Sequence, residues 1–368
     1  MKYRLGEICD VVSGGTPSRA TAEFWDGGTI PWIKIGNIQR KYVDEADEYI
    51  TQAGLEGSSA KMLSAGTILF TIFATLGEVG ILTIEACTNQ AIAGITIKNQ
   101  SDILTDYLYY FLKSQKSCIA ALGRGVAQNN INLSILRNFE VPIPDLPMQK
   151  QIVAILDKTA KVVEVRQQQL QQLDELVKAR FVELFGDGNH PHIALIDLII
   201  EGAGLSYGIV QPGDDGTGDM GVLRPVDMVD GKISTASIKY IDRSIGDGFK
   251  KNELYGDELL ITVRGTTGIT ALTDIRFNGM NVTRGIAVVR YDRNKINPVY
   301  LNAYLNTDES QRYIQEHTRG ATLQQINLSD LRVQQIMVPP LALQEQMAAF
   351  IEQTDKSKVV VQDEVNGL

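Results

Sequence analysis

The sequence predicts an α+β fold with two similar mixed α/β domains joined by long helices that form an antiparallel coiled coil. Three observations predict it: the chain repeats itself once, a long stretch without Gly or Pro follows the first copy, and short β-branched runs fill both copies. A long period that occurs only twice indicates a duplicated domain, because solenoids stack several short units.

The repeat is clearest near the end of each copy. Arg124-Gly125 recurs as Arg319-Gly320, and the stretch Ile131–Arg137 recurs, with one change, as Ile326–Arg332. Upstream, four positions of the first copy also find identical residues in the second: Leu69, Thr71, Thr75 and Gly77 align with Leu260, Thr262, Thr266 and Gly268. Both copies therefore have the same order of parts, with boundaries predicted at 1–146, 147–187, 188–342 and 343–368.

The two connectors are predicted to be helices. Residues 148–184 contain no Gly and no Pro, and apolar residues recur at alternating steps of four and three, as in a coiled-coil seam. The apolar seam positions are Ile152, Leu156, Val163, Leu170, Leu173 and Val177 in the first helix and Met347, Ile351 and Val361 in the second. At 1.5 Å per residue the first helix would span roughly 55 Å. Pairing of the two helices would fix the distance between the domains; the alternative is that each stripe packs on its own domain.

The globular parts are predicted to be rich in strands. Residues 66–73, 92–97, 258–263 and 286–289 are short runs of β-branched residues bounded by turn residues. Short helices are expected around 106–112 and 299–305, with their aromatic residues in the core because these keep helical spacing among leucines.

Composition excludes several classes of protein. A net charge of −9 argues against a protein that coats DNA non-specifically, but not against a reader whose positive groups cluster locally. No apolar run reaches the roughly 18–20 residues of a membrane span, and the first residues lack a signal-peptide pattern, so a cytoplasmic protein is expected. Three widely spaced cysteines, Cys9, Cys87 and Cys118, predict buried or inert thiols.

Several segments together carry a family resemblance. They are residues 12–18 (Val-Ser-Gly-Gly-Thr-Pro-Ser), 30–33 (Ile-Pro-Trp-Ile), 136–152 with its Val-Pro-Ile-Pro, and 179–187 (Ala-Arg-Phe-Val-Glu-Leu-Phe-Gly-Asp). In this order, and with the duplication, they resemble the specificity subunit of type I restriction–modification enzymes. The resemblance covers the whole chain and rests on the order of the parts, since no single motif is specific.

The resemblance implies a non-catalytic subunit that reads a bipartite DNA target. Each domain would read one half-site, and the helices would set the gap between them. It further implies two methyltransferase subunits that bind S-adenosylmethionine and methylate adenine, and a motor-nuclease subunit in the full complex. The last helix is short compared with this pattern. The helix face opposite the seam, with Gln167, Gln168, Gln171 and Lys178, is the expected methyltransferase docking surface.

Motifs for catalysis, nucleotide phosphates and metals are missing from the sequence. It has no Asn/Asp-Pro-Pro-aromatic tetrad and no Gly-x-x-x-x-Gly-Lys-Ser/Thr loop. His190 and His192 are expected in a surface turn, and the acidic run 213–219 lacks the closing Glu of a calcium loop. We therefore expect no cofactor and no metal in this chain. The alternatives are a duplicated adaptor that binds proteins and, more remotely, a nuclease with an unrecognised carboxylate site.

Base reading needs fork-shaped or amide side chains, and phosphate contacts use cations and hydroxyl groups. The DNA-binding candidates in the first domain are Thr16, Ser18, Arg19, Lys34, Asn37, Arg40, Lys41, Arg124, Gln128 and Asn129. Those in the second domain are Tyr207, Arg224, Lys250, Lys251, Arg264, Thr266, Arg284, Arg319, Thr322 and Gln324. Residues that both copies share are expected to hold phosphate or shape a loop, whereas base readers should differ between copies, as Phe73 and Arg264 do.

Overall fold

Each half of the chain has its own hydrophobic core. The chain divides into unit 1 (Met1–Glu164) and unit 2 (Val165–Leu368). The computed structural model describes residues 1–123, 131–186, 188–211, 213, 218–229, 231–321 and 323–367, and residues 120–123 by backbone alone. No helix in this described part of the chain is both long enough and apolar enough to cross a bilayer.

Unit 1 consists of short strands followed by helices. Its strands are β1 (Lys2–Arg4), β2 (Cys9–Ser13), β3 (Ile30–Ile33), β4 (Tyr42–Val43), β5 (Glu48–Ile50), β6 (Ile68–Thr71), β7 (Val79–Leu82), β8 (Cys87–Thr88), β9 (Ile92–Ile97) and β10 (Glu140–Pro142). Its helices are α1 (Leu5–Ile8), α2 (Gln52–Glu56), α3 (Thr105–Ser114), α4 (Lys116–Gly123), α5 (Leu133–Arg137) and the first part of α6 (Leu146–Phe185). Short 3₁₀ helices occupy Ala22–Phe24 and Ile35–Asn37.

Unit 2 contains the second part of α6 and a similar order of elements. Its strands are β11 (His192–Ala194), β12 (Met220–Leu223), β13 (Met228–Val229), β14 (Lys232–Ile233), β15 (Lys239–Ile241), β16 (Leu259–Leu272), β17 (Asn281–Val282), β18 (Ile286–Val289), β19 (Gln324–Gln325) and β20 (Gln335–Met337). Its further helices are α7 (Arg243–Gly246), α8 (Pro298–Leu305), α9 (Asp308–His317), α10 (Leu328–Val333) and α11 (Leu341–Asn366). Short 3₁₀ helices occupy Leu195–Leu198, Pro225–Asp227, Asp247–Asn252 and Ile275–Phe277.

The strand pairing confirms the duplication. In unit 1, β3 pairs antiparallel with β5 and parallel with β8; in unit 2, β12 pairs in the same way with β15 and β17. The register of β6 on β9 also recurs, as β16 on β18: Leu69 faces Gly94, and Leu260 faces Val288. The two copies therefore share a backbone plan although few of their residues are identical.

The central strand of each unit is buried on both faces. Ile68 and Phe70 pack with helix α3, whereas Leu69 packs on the other side with the core of the smaller sheet. In unit 2, Leu259 and Ile261 pack in the core that includes α8. Leu260, between them, packs in the core on the other face of the strand. Successive side chains of a strand point to opposite faces, so one strand joins two cores. The buried tyrosines of α3 and α8 confirm the expectation that these aromatic residues belong to the core.

Two of the three cysteines are buried in unit 1. Burial raises the pKa of the Cys9 thiol to about 12 and that of Cys87 to about 11, which suppresses the reactive thiolate of both at neutral pH. Cys118 is exposed on α4, so for this residue only the inertness of the thiol stays a prediction.

Helix α11 pairs antiparallel with the part of α6 that belongs to unit 2. Arg166 lies 2.7 Å from Glu364, Asp174 lies 2.7 Å from Lys358, and the Arg180 guanidinium lies 5.8 Å from the Phe350 ring centre. The residue numbers of the partners in α11 decrease as those in α6 increase. The two helices therefore run antiparallel, as the coiled-coil prediction requires. The predicted seam positions Leu170, Leu173, Val177, Met347, Ile351 and Val361 are all buried or half-buried. In unit 1, Ile152 and Val163 are half-buried and Leu156 is 36% exposed.

A buried glutamine joins each long helix to the non-strand segments before it. In unit 1 the Gln149 amide accepts from the Leu104 N–H and donates to the carbonyls of Asp102 and Pro144, each at 2.9 Å. Gln344 repeats this arrangement in unit 2: it accepts from the Asn297 N–H at 2.8 Å and donates to Pro339 at 2.7 Å. Both side chains are fully buried.

We expect Gln149→Leu to lower the free energy of unfolding of unit 1 by about 3 kcal/mol, because it leaves buried backbone groups without partners. The measurement is urea unfolding followed by tryptophan fluorescence, since both tryptophans, Trp25 and Trp32, lie in unit 1. Gln151→Leu, at an exposed position of the same helix, is the control and should change little. Equal stabilities of the two variants would show that the buried amide contributes nothing.

Candidate nucleic-acid interface

One end of the central sheet in unit 2 gathers several of the residues predicted to contact DNA. Strand β16 continues past Val263 and pairs with β19, so Arg264 faces Gln325 and Gly265 faces Gln324. Arg319 exchanges two backbone hydrogen bonds of 2.8 Å with Gln325. Arg264, Thr266, Arg319 and Gln324 are thereby brought to the same edge.

Two further predicted residues lie beside this edge. The Val263 N–H donates to Gly285 at 2.7 Å, which places Arg284 close to Arg264 of β16, and the Arg284 N–H donates to Ile209 at 2.9 Å. Tyr207 pairs opposite Ala287 on the other side of β18. A side chain at Gly208 would meet the Val282 carbonyl oxygen at 2.1 Å, so glycine is required for this close approach.

We call this set the arginine edge; it comprises Tyr207, Arg264, Thr266, Arg284, Arg319 and Gln324. Among the described residues, Arg319 has a carboxylate nearby, Asp330 at 3.8 Å, and neither Arg264 nor Arg284 pairs with a described carboxylate. The backbone brings three arginine residues to one edge of a chain whose net charge is −9. A local patch of this kind can attract phosphate whatever the total charge.

The other predicted residues of unit 2 have different surroundings. Arg224 follows β12, forms a two-pronged ion pair with Asp227, and donates to the Ser237 carbonyl at 2.5 Å. Lys250 and Lys251 lie on the 3₁₀ helix Asp247–Asn252, and the Lys251 carbonyl accepts from Arg290. Arg290 follows β18, whereas Arg284 precedes this strand. The structure does not bring these lysines to the arginine edge. Thr322 lies outside the described residues.

Backbone hydrogen bonds identify the equivalent edge of unit 1. The Ile131 N–H donates to Ile72 at 3.0 Å, as Ile326 does to Val263, so Phe73 corresponds to Arg264. The same strand registers place Ser13 at the position of Tyr207 and Gln90 at that of Arg284. Arg124, Gln128 and Asn129, which align with the segment around Arg319, lie outside the described residues.

Sequence reasoning missed Ser13 and Gln90 as candidates in unit 1. Thr16, a predicted contact, donates its hydroxyl hydrogen to the Gln90 amide oxygen, which confirms that these two residues lie together. The internal repeat held the necessary signal. Aligning Ile92-Ala93 with the identical Ile286-Ala287 places Gln90 at the position of Arg284.

Two of the predicted residues in unit 1, Arg19 and Lys34, form a second group around an acidic residue. The Arg19 guanidinium lies 3.7 Å from the Trp25 ring centre and 2.5 Å from one carboxylate oxygen of Glu48, and Lys34 lies 2.6 Å from the other oxygen. The Ser18 carbonyl accepts from the Trp25 indole. We call Arg19, Trp25, Lys34 and Glu48 the Glu48 cluster. The hydrogen bond from Lys34, against the opposing effect of burial and with help from Arg19, holds the pKa of Glu48 below its ordinary value.

The remaining candidates of unit 1 are held by local contacts. Asn37 accepts from the Lys34 N–H at 2.9 Å and so caps the beginning of the 3₁₀ helix Ile35–Asn37. Arg40 lies 3.0 Å from Asp44 on the surface. Lys41 is largely buried between Asp106 and Asp157, which favours a structural role over a DNA contact.

The described residues contain no group of three or more His, Cys, Asp or Glu side chains arranged to hold a metal ion. Buried Glu258 accepts hydrogen bonds from the Thr273 hydroxyl and from the N–H groups of Tyr255, Gly256 and Asp257. Its carboxylate is therefore occupied by structural contacts.

A model of the type I restriction modification DNA specificity domain matches residues 1–175 and 218–364. The chain belongs to this family. The specificity subunit of the Escherichia coli enzyme EcoR124I/EcoR124II is 33% identical over 160 residues, which cover 42% of this chain and 39% of that protein. The MjaIX specificity subunit of Methanocaldococcus jannaschii is 22% identical over 95% of this chain and 85% of that protein.

Solved structures of the family share the fold. The S subunit of the type I restriction–modification system from M. genitalium has a TM-score of 0.55 at 14% identity, and covers all of this chain and 92% of its own. A chain from a structure on complex assembly and conformational transition of the type I R-M system has a TM-score of 0.51 at 16% identity, with 100% and 93% covered. These structures confirm the predicted fold class, while the family model and the curated relatives confirm the predicted family and the interpretation as a DNA-recognition component rather than a catalytic subunit.

We expect Glu48→Gln to raise the affinity for non-specific duplex DNA a few-fold at low salt, because it frees Arg19 and Lys34 for phosphate. Each phosphate contact adds about 0.9 to the slope of log affinity against log salt, so the salt dependence should also steepen. Fluorescence anisotropy with a labelled duplex measures the affinity and its salt dependence. The salt concentration is varied from roughly 50 to 200 mM, a range in which phosphate contacts change the affinity strongly. Glu56→Gln removes the same charge at an exposed position and is the control. Identical salt slopes for both variants would exclude a phosphate contact by these cations.

Proposed function

We propose that the chain reads a bipartite DNA target, with the arginine edge reading one half-site and the equivalent edge of unit 1 reading the other. One observation carries the proposal: the two edges share their backbone hydrogen bonds but differ in the side chains placed on them. Tyr207, Arg264 and Arg284 occupy the positions of Ser13, Phe73 and Gln90. A duplicated scaffold with different side chains is what a reader of two different sequences requires.

The side chains suggest which bases each edge prefers. Arginine donates two hydrogen bonds to guanine in the major groove, glutamine pairs with adenine, and an apolar ring contacts the thymine methyl group. We therefore expect guanine in the half-site of unit 2, opposite Arg264 or Arg284, and adenine or thymine in that of unit 1, opposite Gln90 and Phe73.

Residues shared by the two copies suit phosphate rather than bases. Arg319-Gly320 recurs as Arg124-Gly125, and Gly320 has a positive φ of 96°, a conformation that residues with a side chain rarely adopt. The loop shape therefore depends on this glycine. The Arg319 side chain, 72% exposed and 3.8 Å from Asp330, can reach the DNA backbone.

The partners in this proposal are duplex DNA, two methyltransferase subunits and a motor-nuclease subunit, assembled in the cytoplasm. S-adenosylmethionine would bind to the methyltransferase, and this chain would need no cofactor. Gln167, Gln168, Gln171 and Lys178 are exposed on α6, which supports the predicted docking face. The adaptor alternative would explain the helices and the duplication, but not three arginines collected at the end of a sheet.

Co-expression with a methyltransferase subunit of the same system tests the proposal. Long-read sequencing of the host DNA would map N6-methyladenine. We expect methylation at a split motif with a fixed gap, absent when this chain is omitted. Methylation at an undivided motif, or methylation that persists without the chain, would contradict the proposal.

Once the motif is mapped, single variants separate base reading from phosphate binding. Arg264→Ala should cost about 1–3 kcal/mol at one base pair of one half-site and relax its sequence preference. Arg319→Ala should weaken binding to all sequences and reduce the salt slope by about 1. Arg276→Ala, an exposed arginine paired with Asp274, is the control.

Competition binding with duplexes substituted at each position measures these effects. If Arg264→Ala and Arg319→Ala altered the same single base pair equally, the distinction between variable readers and shared phosphate contacts would be wrong.

A further inference from the structure

Lys41 lies between two carboxylates that belong to different helices of unit 1. Its ammonium nitrogen is 2.7 Å from Asp106 on α3 and 2.6 Å from Asp157 on α6, and its side chain is 16% exposed. Tyrosine hydroxyls complete the group: Tyr42 donates to Asp106 at 2.9 Å, and Tyr110 donates to Asp157 at 2.6 Å. We call these five residues the spacer clamp.

Lys41 and Asp157 stay charged at neutral pH. Burial alone would lower the pKa of Lys41, but the hydrogen bonds that its ammonium group donates to Asp106 and Asp157 outweigh this effect and raise that pKa above its ordinary value. Burial would raise the pKa of Asp157, but the hydrogen bonds that it accepts from Lys41 and Tyr110 outweigh this effect. The pKa of Asp157 is therefore below its ordinary value. A partly buried group of this kind is screened by salt less than an exposed ion pair is.

The clamp connects α6 to the main sheet. Lys41 immediately precedes β4, and its carbonyl accepts from the Ile81 N–H of β7 at 2.7 Å. The lysine backbone is therefore fixed to the sheet while its side chain reaches the helix. Asn37 and Arg40, both candidate DNA contacts, lie just before it in the same loop.

Two attachment points define the direction in which α6 leaves unit 1. The first is the buried amide of Gln149, and the second is Asp157, eight residues further and so about 12 Å along the helix. Between residues 150 and 164, the other polar contact described for the side chains of α6 is internal, from Lys161 to Glu164. Without the second point the helix could pivot about its first turn.

Unit 2 lacks one carboxylate of the clamp. Gln149 accepts from the Leu104 N–H and Gln344 accepts from the Asn297 N–H, so the helices that follow align with Val299 at the position of Asp106. Glu352 stands at the position of Asp157. The pair of carboxylates from two helices is therefore not repeated at the equivalent positions of the second copy.

We propose that Lys41 and Asp157 are positioning residues that fix the direction of the spacer helix and thereby determine how strictly the protein selects the gap between the two half-sites. This proposal rests on the proposed function. It assigns Lys41 to the spacer rather than to the DNA surface.

The test uses the full chain with its methyltransferase subunit and duplexes that carry the mapped target with its natural gap or with one or two base pairs added or removed. A second duplex keeps the half-site of unit 1 and scrambles the other. The variants are Lys41→Met, Asp157→Asn and the control Lys161→Met, which removes an exposed lysine of α6 that pairs within the helix. Lys41→Arg serves as the conservative variant.

We expect Lys41→Met and Asp157→Asn each to reduce the preference for the natural gap at least fivefold, with unchanged affinity for the half-site of unit 1. Lys161→Met should match the wild type, and Lys41→Arg should restore part of the preference. Tryptophan fluorescence melting verifies that unit 1 stays folded in every variant.

Two results would overturn the proposal. Unchanged gap preference in folded Lys41→Met and Asp157→Asn would show that the clamp does not set the gap. Opposite effects on half-site affinity, with loss for Lys41→Met and gain for Asp157→Asn, would show that Lys41 binds DNA and Asp157 restrains it. A wild-type protein without any mapped split motif would instead refute the proposed function, and the inference with it.

Discussion

The structure depends first on the buried glutamine amide at the start of each long helix. A buried amide must satisfy its donors and its acceptor, and both copies do this with backbone groups of the segments before the helix. The helix therefore starts in a fixed relation to the sheet of its own unit. Both copies keep this glutamine contact, whereas the side chains at the DNA-reading edges differ between them. The variable side chains therefore stand on a backbone arrangement that both copies share.

Sequence reasoning succeeded where local patterns decide the structure. The spacing of Leu170, Leu173 and Val177 predicted the seam, since a helix places such residues on one face whatever the remaining fold does. Gln149 and Gln344 were visible as identical letters, but their burial was not, because their backbone partners are remote in sequence. Lys41 shows the limit most clearly: its charge suggested DNA, whereas its environment comes from Asp106 and Asp157, which only the folded chain brings close.

The candidate site combines a constant backbone with variable side chains. Gly14 and Gly208 both sit where a side chain would collide with a neighbouring strand, so the loops that carry the readers approach the sheet alike in both units. The side chains at the strand ends then differ in charge and shape, from Phe73 to Arg264 and from Gln90 to Arg284. Specificity can change at such positions without disturbing the core, because none of these four side chains is fully buried.

DNA is expected to meet the equivalent edges of the two units, and amide hydrogen exchange of the assembled complex distinguishes this placement from others. With a duplex carrying the mapped target, we expect protection at residues 262–268 and 282–286 in unit 2 and at 71–77 and 88–92 in unit 1, compared with a scrambled duplex. Protection confined to residues 98–103 and 290–294, at the opposite ends of β9 and β18, would contradict it.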